Sequence, residues 1–177
     1  MTITIPILES ARLRLRGHRA DDYENSAALW GDAEVTRHIG GRPLSREEVW
    51  GRLLRYAGTW VWMGYGYWVV EEKSTGKFVG EVGFANLQRV VQPPLENVPE
   101  LGWVLTRAFH GRGYATEAVQ TATAWGDRIF DSPRTTCIID PENARSIRVA
   151  QRCGFSESHQ ATYKGESVIV FTRETPK

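Results

Sequence analysis

The run His110-Gly111-Arg112-Gly113-Tyr114-Ala115 is the part of this sequence best suited to chemistry. Glycine has no Cβ, so Gly111 and Gly113 can adopt left-handed dihedrals and leave main-chain amides open to a ligand. A helix that starts there leaves its first amides unpaired and carries roughly half a positive charge at that end. The combination suits a phosphate or pyrophosphate held against the backbone. As an isolated GxG, the same run could simply turn the chain into a helix. Three phosphate-binding chemistries differ in what else they require. A P-loop needs GxxxxGK followed by Ser or Thr, and the turn holds no Lys. A dinucleotide turn needs a third glycine where Thr116 stands, and it follows its strand at once, whereas about five residues intervene here. The third is coenzyme A, whose pyrophosphate needs the amides but no acid to read a ribose.

Other reactive groups are sparse. Cys137 and Cys153 form no CxxC pair and have no neighbouring His at zinc spacing, and His18, His38, His110 and His159 are scattered, so neither a metal nor a disulfide is expected. A net charge of +1 offers no broad field for nucleic acid or an acidic membrane. No apolar run approaches the roughly 20 residues of a membrane helix, and the N-terminus lacks a signal-peptide layout, so a cytoplasmic protein is expected.

The 177 residues fit a single domain, 1–177, with an ordinary globular composition. Leu13 and Leu15 alternate with arginines between Ala11 and Arg16, which predicts a strand with one wet face. Helical spacing covers Ala20 to Trp30 and Ser45 to Tyr56, the latter opened by Ser45 and Glu48 in capping-box positions. Tyr67 to Val70 and Phe78 to Val82 read as a hairpin around Gly76. Gln88 to Pro99 contains three prolines and reads as an irregular loop, followed by a strand from Glu100 to Leu105. After the glycine turn, Ala115, Ala118, Val119, Ala122, Trp125 and Ile129 make one buried helical face. A strand at Thr135 to Ile139, a helix from Asn143 to Arg152 ended by Gly154, and a strand at Val168 to Thr172 complete the chain. The order predicts an α/β domain with a mixed central sheet of about 6–7 strands and about 4 helices.

With these elements in place, Glu100-Leu101-Gly102-Trp103-Val104-Leu105 followed by His110-Gly111-Arg112-Gly113-Tyr114-Ala115-Thr116-Glu117-Ala118 resembles the signature segment of GNAT N-acetyltransferases, with its Gln/Arg-x-x-Gly-x-Gly/Ala turn. Asn143-Ala144-Arg145-Ser146 and Arg152-Cys153-Gly154-Phe155 resemble the start and end of the family's next helix in the ribosomal-protein-alanine branch. Glu9 to Arg16 is similar to that branch's first strand. The resemblance thus spans nearly the whole chain. One departure is His110, which stands where the family has Gln or Arg and offers fewer donors than Arg.

The resemblance implies a GNAT-like fold and acetyl-CoA as acetyl donor, bound by Val104, Leu105 and Thr106, by His110, Gly111, Arg112, Gly113, Tyr114, Ala115 and Thr116, and by Asn143. Free amides of the Val104 to Thr106 strand would meet the pantetheine arm and the thioester oxygen. The attacking amine must lose a proton, and Glu100 is the expected base, acting through water, with Glu81 as its competitor. A helix Tyr that many GNAT enzymes offer to the leaving sulfur is replaced by Ala150, which leaves Ser146 for that role. Asn143 and Ser146 are also ordinary first-turn residues of a helix. Arg145, Arg148 and Arg152 form a stripe that could meet the coenzyme's 3′-phosphate or be solvated. The aromatic stretch from Trp60 to Trp68 could wall the acceptor or fill the core. The acceptor is then a peptide N-terminus or a small amine, and a noncatalytic acyl-CoA-binding module is the alternative, with NAD binding last. C-terminal strand edges could pair in a homodimer.

Overall fold

The computed structural model describes residues 4–132 and 134–175. Along the chain run β1 (Leu8–Glu9), β2 (Leu13–Arg16), α1 (Tyr23–Trp30), α2 (Ala33–Thr36), α3 (Arg46–Met63), β3 (Tyr67–Glu72), β4 (Phe78–Ala85), β5 (Val91–Gln92), β6 (Glu100–Leu105), α4 (Tyr114–Ile129), β7 (Arg134–Ile139), α5 (Ala144–Arg152), β8 (Ser156–Tyr163) and β9 (Glu166–Glu174). The strands form one mixed sheet in the order β1-β2-β3-β4-β6-β7-β9-β8-β5. This α/β architecture agrees with the sequence expectation in kind and exceeds it in number, with nine strands and five α-helices among the described residues. The surplus is short. β1 and β5 have two residues each and α2 has four, too few to show a period. β5 lies inside the proline-rich stretch expected to be loop, and it is recruited by pairing Val91 with Tyr163 and Gln92 with Thr162.

The central helix α3 starts where its capping box predicts. The Ser45 amide donates to Glu48 Oε2 at 2.8 Å and the Glu48 amide to Ser45 Oγ at 3.2 Å. It continues past Tyr56 to Met63, because Trp60 extends the buried stripe of Val49, Leu53 and Tyr56, and it ends at Gly64 with φ 72°. The aromatic stretch is therefore split between a helix and a strand. Trp60 and Trp68 are core residues, with ring centroids 4.9 Å apart and Trp125 against both. Trp62, at the exposed end of α3, is 87% accessible.

Strand alternation sends Trp68, Val82, Phe84, Leu101 and Leu105 to one face, where Ala118, Val119, Ala122 and Trp125 of α4 cover them. Val104 points to the opposite face, where it packs with Leu29, Trp30, Val35 and Val49 from α1 to α3. Ile129, expected on the buried stripe of α4, is 54% exposed. The last helical turn overhangs the sheet, and Phe130 folds back in its place against Phe84 and Trp125.

One junction in the sheet differs from all others. β6 and β7 are parallel neighbours registered only at Glu100 and Thr136, beside the 3.1 Å bond from the Thr136 amide to the Pro99 carbonyl. Each strand is otherwise committed to its outer neighbour. β6 pairs along its length with β4, and β7 along its length with β9. The two strands therefore part beyond Glu100 and open a wedge whose vertex is Glu100–Thr136. No helix among the described residues is long and apolar enough to cross a membrane.

Candidate active site

The glycine turn lies between β6 and α4. Gly111 has φ 72° and Gly113 φ 78°, the left-handed region that the turn requires and that glycine takes without strain. Gly113 is the N-cap of α4. The amides of Gly111 through Thr116 have no acceptor among the described residues, and Glu117 is the first to close a helical bond, to the Gly113 carbonyl at 3.1 Å. Gly111, Arg112 and Gly113 are exposed. The result is an accessible row of donors at the positive end of a 16-residue helix.

Residues of the turn between β1 and β2 hold this row in place. Glu117 accepts from Ser10 Oγ at 2.7 Å, from the Arg12 amide at 2.8 Å and from Arg12 Nε at 2.7 Å. Arg12 Nη1 also donates to the Arg112 carbonyl at 3.0 Å. Tyr114 is buried, and its hydroxyl donates to Glu72 on β3. Its side chain is thus part of the scaffold, which leaves the amide as its contribution to a ligand. The Arg112 side chain is exposed beside the Tyr114 ring.

His110 links three parts of the cleft. Its Nε2 donates to the Leu105 carbonyl at 2.8 Å, and Arg145 Nη1 lies 3.4 Å from its Nδ1. The turn is in this way fastened to the end of β6 and faces the start of α5. Arg145, Arg148 and Arg152 are all exposed. Asn143 Oδ1 caps α5 by accepting from the Ser146 amide at 3.1 Å. The Ser146 side chain is half-buried, and Ala150 is fully buried, so α5 carries no hydroxyl at position 150. Cys153 Sγ lies 3.7 Å from the Thr116 carbonyl and ties the end of α5 to the first turn of α4.

On β6 the available amides differ from the expected ones. The Thr106 amide donates to the Val79 carbonyl at 2.9 Å, and ladder alternation turns Val104 toward β4 as well. Trp103 and Leu105 therefore face the gap, so of Val104, Leu105 and Thr106 only Leu105 has an amide free for a ligand. The sequence reading passed over Trp103, although alternation from any one bonded residue would have found it.

The two candidate carboxylates are held in different ways. Glu81 is fully buried and accepts from Ser26 Oγ at 2.7 Å, Trp30 Nε1 at 2.9 Å and the Tyr56 hydroxyl at 3.1 Å. Burial would raise its carboxyl, but neighbouring His18 and the bonds from Ser26 and Trp30 outweigh it and hold it below the ordinary carboxylate value. Glu100 sits at the wedge vertex, where Arg89 Nε is 2.9 Å from both of its oxygens. It lines a polar cavity of about 210 Å³ together with Ala85, Arg89, Glu96, Asn97 and Thr136. Glu100 is thus next to a space a substrate can enter, and Glu81 is sealed off from solvent.

Comparison with known proteins agrees with this geometry. The family described as Acetyltransferase (GNAT) domain matches residues 12–156. The uncharacterized protein YkkB of Bacillus subtilis is 33% identical over 116 residues, covering 63% of this chain and 64% of its own length. The crystal structure of an acetyltransferase from Agrobacterium tumefaciens str. C58 superimposes with a TM-score of 0.83 at 26% identity, covering 98% of this chain and 97% of that one. RimL, a ribosomal L7/L12 α-N-protein acetyltransferase solved in complex with coenzyme A, shares the fold at a TM-score of 0.75 and 17% identity, over 96% of this chain and 98% of its own. With a wedge between β6 and β7, an open row of amides at the start of α4 and a domain match over most of its length, the chain belongs to the GNAT acetyltransferase family.

Proposed function

We propose that the protein transfers the acetyl group of acetyl-CoA to a primary amine by direct attack, the amine being a protein N-terminus or a small molecule. The observation that carries this reading is the wedge, which leads from the open amides of residues 111–116 down to Glu100 and Thr136. In this reading the pyrophosphate rests on the turn and the pantetheine arm runs past the Trp103 and Leu105 amides. A backbone amide near the thioester oxygen stabilises the negative charge that develops there, and loss of one such donor typically costs about 2.7 to 4 kcal/mol in the barrier. The amine approaches through the polar cavity, where Glu100 is paired with Arg89 and Glu96 with Arg134. Free amines have pKa values of roughly 8 to 10.4, so a proton must be removed before attack. Glu100 takes it, through water, because it borders the cavity at the vertex. Asn143 and Ser146, on the far wall of the wedge, complete the coenzyme site.

Two free, buried cysteines suit a reducing compartment such as the cytoplasm. A homodimer would use the edge of β8 that β5 leaves uncovered from Ser156 to Gln160, and sedimentation velocity tests it.

Thermal unfolding in the presence of acetyl-CoA, CoA, NAD and ATP tests the donor. At about 100 times the dissociation constant a true ligand adds about 2.7 kcal/mol. Stabilisation confined to the CoA compounds, followed by acetylation of a member of an amine panel, supports the enzyme. CoA binding without any transfer points to an acyl-CoA-binding module, and stabilisation by NAD alone overturns the site.

A further inference from the structure

Tyr67 lies across the sheet in line with two glycines. It registers with Gly83 of β4, and Gly83 registers with Gly102 of β6. A Cβ on Gly83 would approach the Gly66 carbonyl oxygen and Tyr67 Cα to 2.3 Å, and one on Gly102 would come within 2.0 Å of the Tyr67 hydroxyl oxygen. Glycine inside a strand weakens it and often marks a close approach of another group. Here the bare row lets the ring cross β4 and set its hydroxyl over β6. Stacking on Tyr56, with centroids 4.5 Å apart and planes 13° apart, fixes the ring.

The hydroxyl has no hydrogen-bond partner among the described residues, whereas that of Tyr56 donates to Glu81. Its place is also specific. Gly102 is two residues past Glu100, so at about 3.3 Å per residue the hydroxyl stands about 7 Å from the vertex, where the wedge has just opened. Burial, reinforced by the negative charge of Glu100, pushes the phenol up to about 12. It therefore keeps its proton at neutral pH.

We infer that Tyr67 is a catalytic residue whose hydroxyl hydrogen-bonds the sulfur of the coenzyme as the carbon–sulfur bond breaks. The inference rests on the acetyl transfer proposed above. The amine nitrogen forms its bond to the carbonyl carbon, the electron pair of the broken bond goes to sulfur, and the nitrogen's proton leaves toward Glu100. The phenol does not surrender its own proton, because a thiolate is far too weak a base to take it. The thiolate is protonated by solvent on release. Tyr67 supplies from β3 the polar contact that buried Ala150 denies from α5.

The test titrates the thiol of bound CoA by its ultraviolet absorbance, in the wild type and in Tyr67→Phe. Cys137 and Cys153 do not interfere, since burial holds the first well above the ordinary thiol range and the second at about 11. The bound thiol should ionise about tenfold less readily in Tyr67→Phe than in the wild type, the size of one hydrogen bond to a charged group. In amine acetylation the same variant should lose about 10- to 100-fold in kcat, with KM for acetyl-CoA within about threefold. Gly102→Ala, whose methyl displaces the hydroxyl, should reproduce the loss. Equal titration curves overturn the inference even where amines are acetylated. A shifted titration with no amine acetylated supports the contact with sulfur and overturns the transfer reading, and failure to bind CoA overturns both.

Discussion

His110 Nε2 donates to the carbonyl of Leu105 at 2.8 Å, closing a short loop between the end of β6 and the glycine turn. The bond uses the Leu105 carbonyl on the gap side and leaves the Leu105 amide beside it for a ligand. One side-chain donor aimed at one carbonyl is what holds the turn here.

A donor, rather than an imidazole, is then what position 110 requires. His110→Gln should keep affinity for acetyl-CoA within about threefold, whereas His110→Ala should weaken it about tenfold, the equivalent of one hydrogen bond. Calorimetric titration of both variants decides the matter. Equal losses would mean that the ring contributes by packing.

The two glycines of the turn separate dihedral cost from steric cost. A Cβ on Gly111 would meet nothing within 4 Å, and one on Gly113 only the end of Arg12, at 3.4 Å. Alanine at either position should therefore cost about 1–2 kcal/mol of stability, from the left-handed backbone alone. Gly111→Asn should recover part of that loss, because asparagine tolerates this region. Denaturant unfolding measures the three variants, and a loss well above 2 kcal/mol at Gly111 would contradict the open space around it.

Much of this arrangement is legible in the sequence, and what is not has physical reasons. The turn, the helix after it and the capping box of α3 depend on local chemistry within a few residues, and each stands where the spacing puts it. The fate of Trp60 to Trp68 depends on packing between α3 and β3, so a local reading could not divide it. β5 has no period of its own and exists only through β8. Which amides of β6 face the gap is a question of register, settled by the single bond from Thr106 to Val79. Tyr67 stood within the aromatic stretch that could wall the acceptor, but its place over β6 was not legible because its partners, Gly83 and Gly102, are distant in sequence and close only across the sheet. Strand-interior glycines were the available signal.

Both cysteines should resist thiol reagents in the native protein. Cys137 and Cys153 are buried and free. Burial raises both thiols, so little thiolate is present at neutral pH. Reaction with an aromatic disulfide should be slow when folded and complete to two thiols after denaturation. Rapid labelling of a native thiol would show that one of these sites opens to solvent.

Glu81 should make the protein sensitive to acid. Its carboxyl titrates below the ordinary value when folded, so the stability it contributes is present at neutral pH. That stability disappears as pH falls from the ordinary carboxylate value of about 4.3 toward the lower folded one. Asp22 behaves in the same direction: burial raises its carboxyl, but the bidentate pair with Arg16 at 2.7 and 2.8 Å outweighs this and holds it down. Wild-type stability therefore declines in acid for two reasons, and Glu81→Gln removes one of them. The variant should be about 3 kcal/mol less stable at pH 7, because Ser26, Trp30 and Tyr56 would all donate toward a neutral amide. The deficit should shrink as pH falls from about 4.3 toward the lower range in which folded Glu81 titrates, because the unfolded wild type takes up its proton first. Urea unfolding of both proteins from neutral pH downward measures it, and parallel curves across that range would mean that the Glu81 carboxyl titrates alike in the folded and unfolded protein.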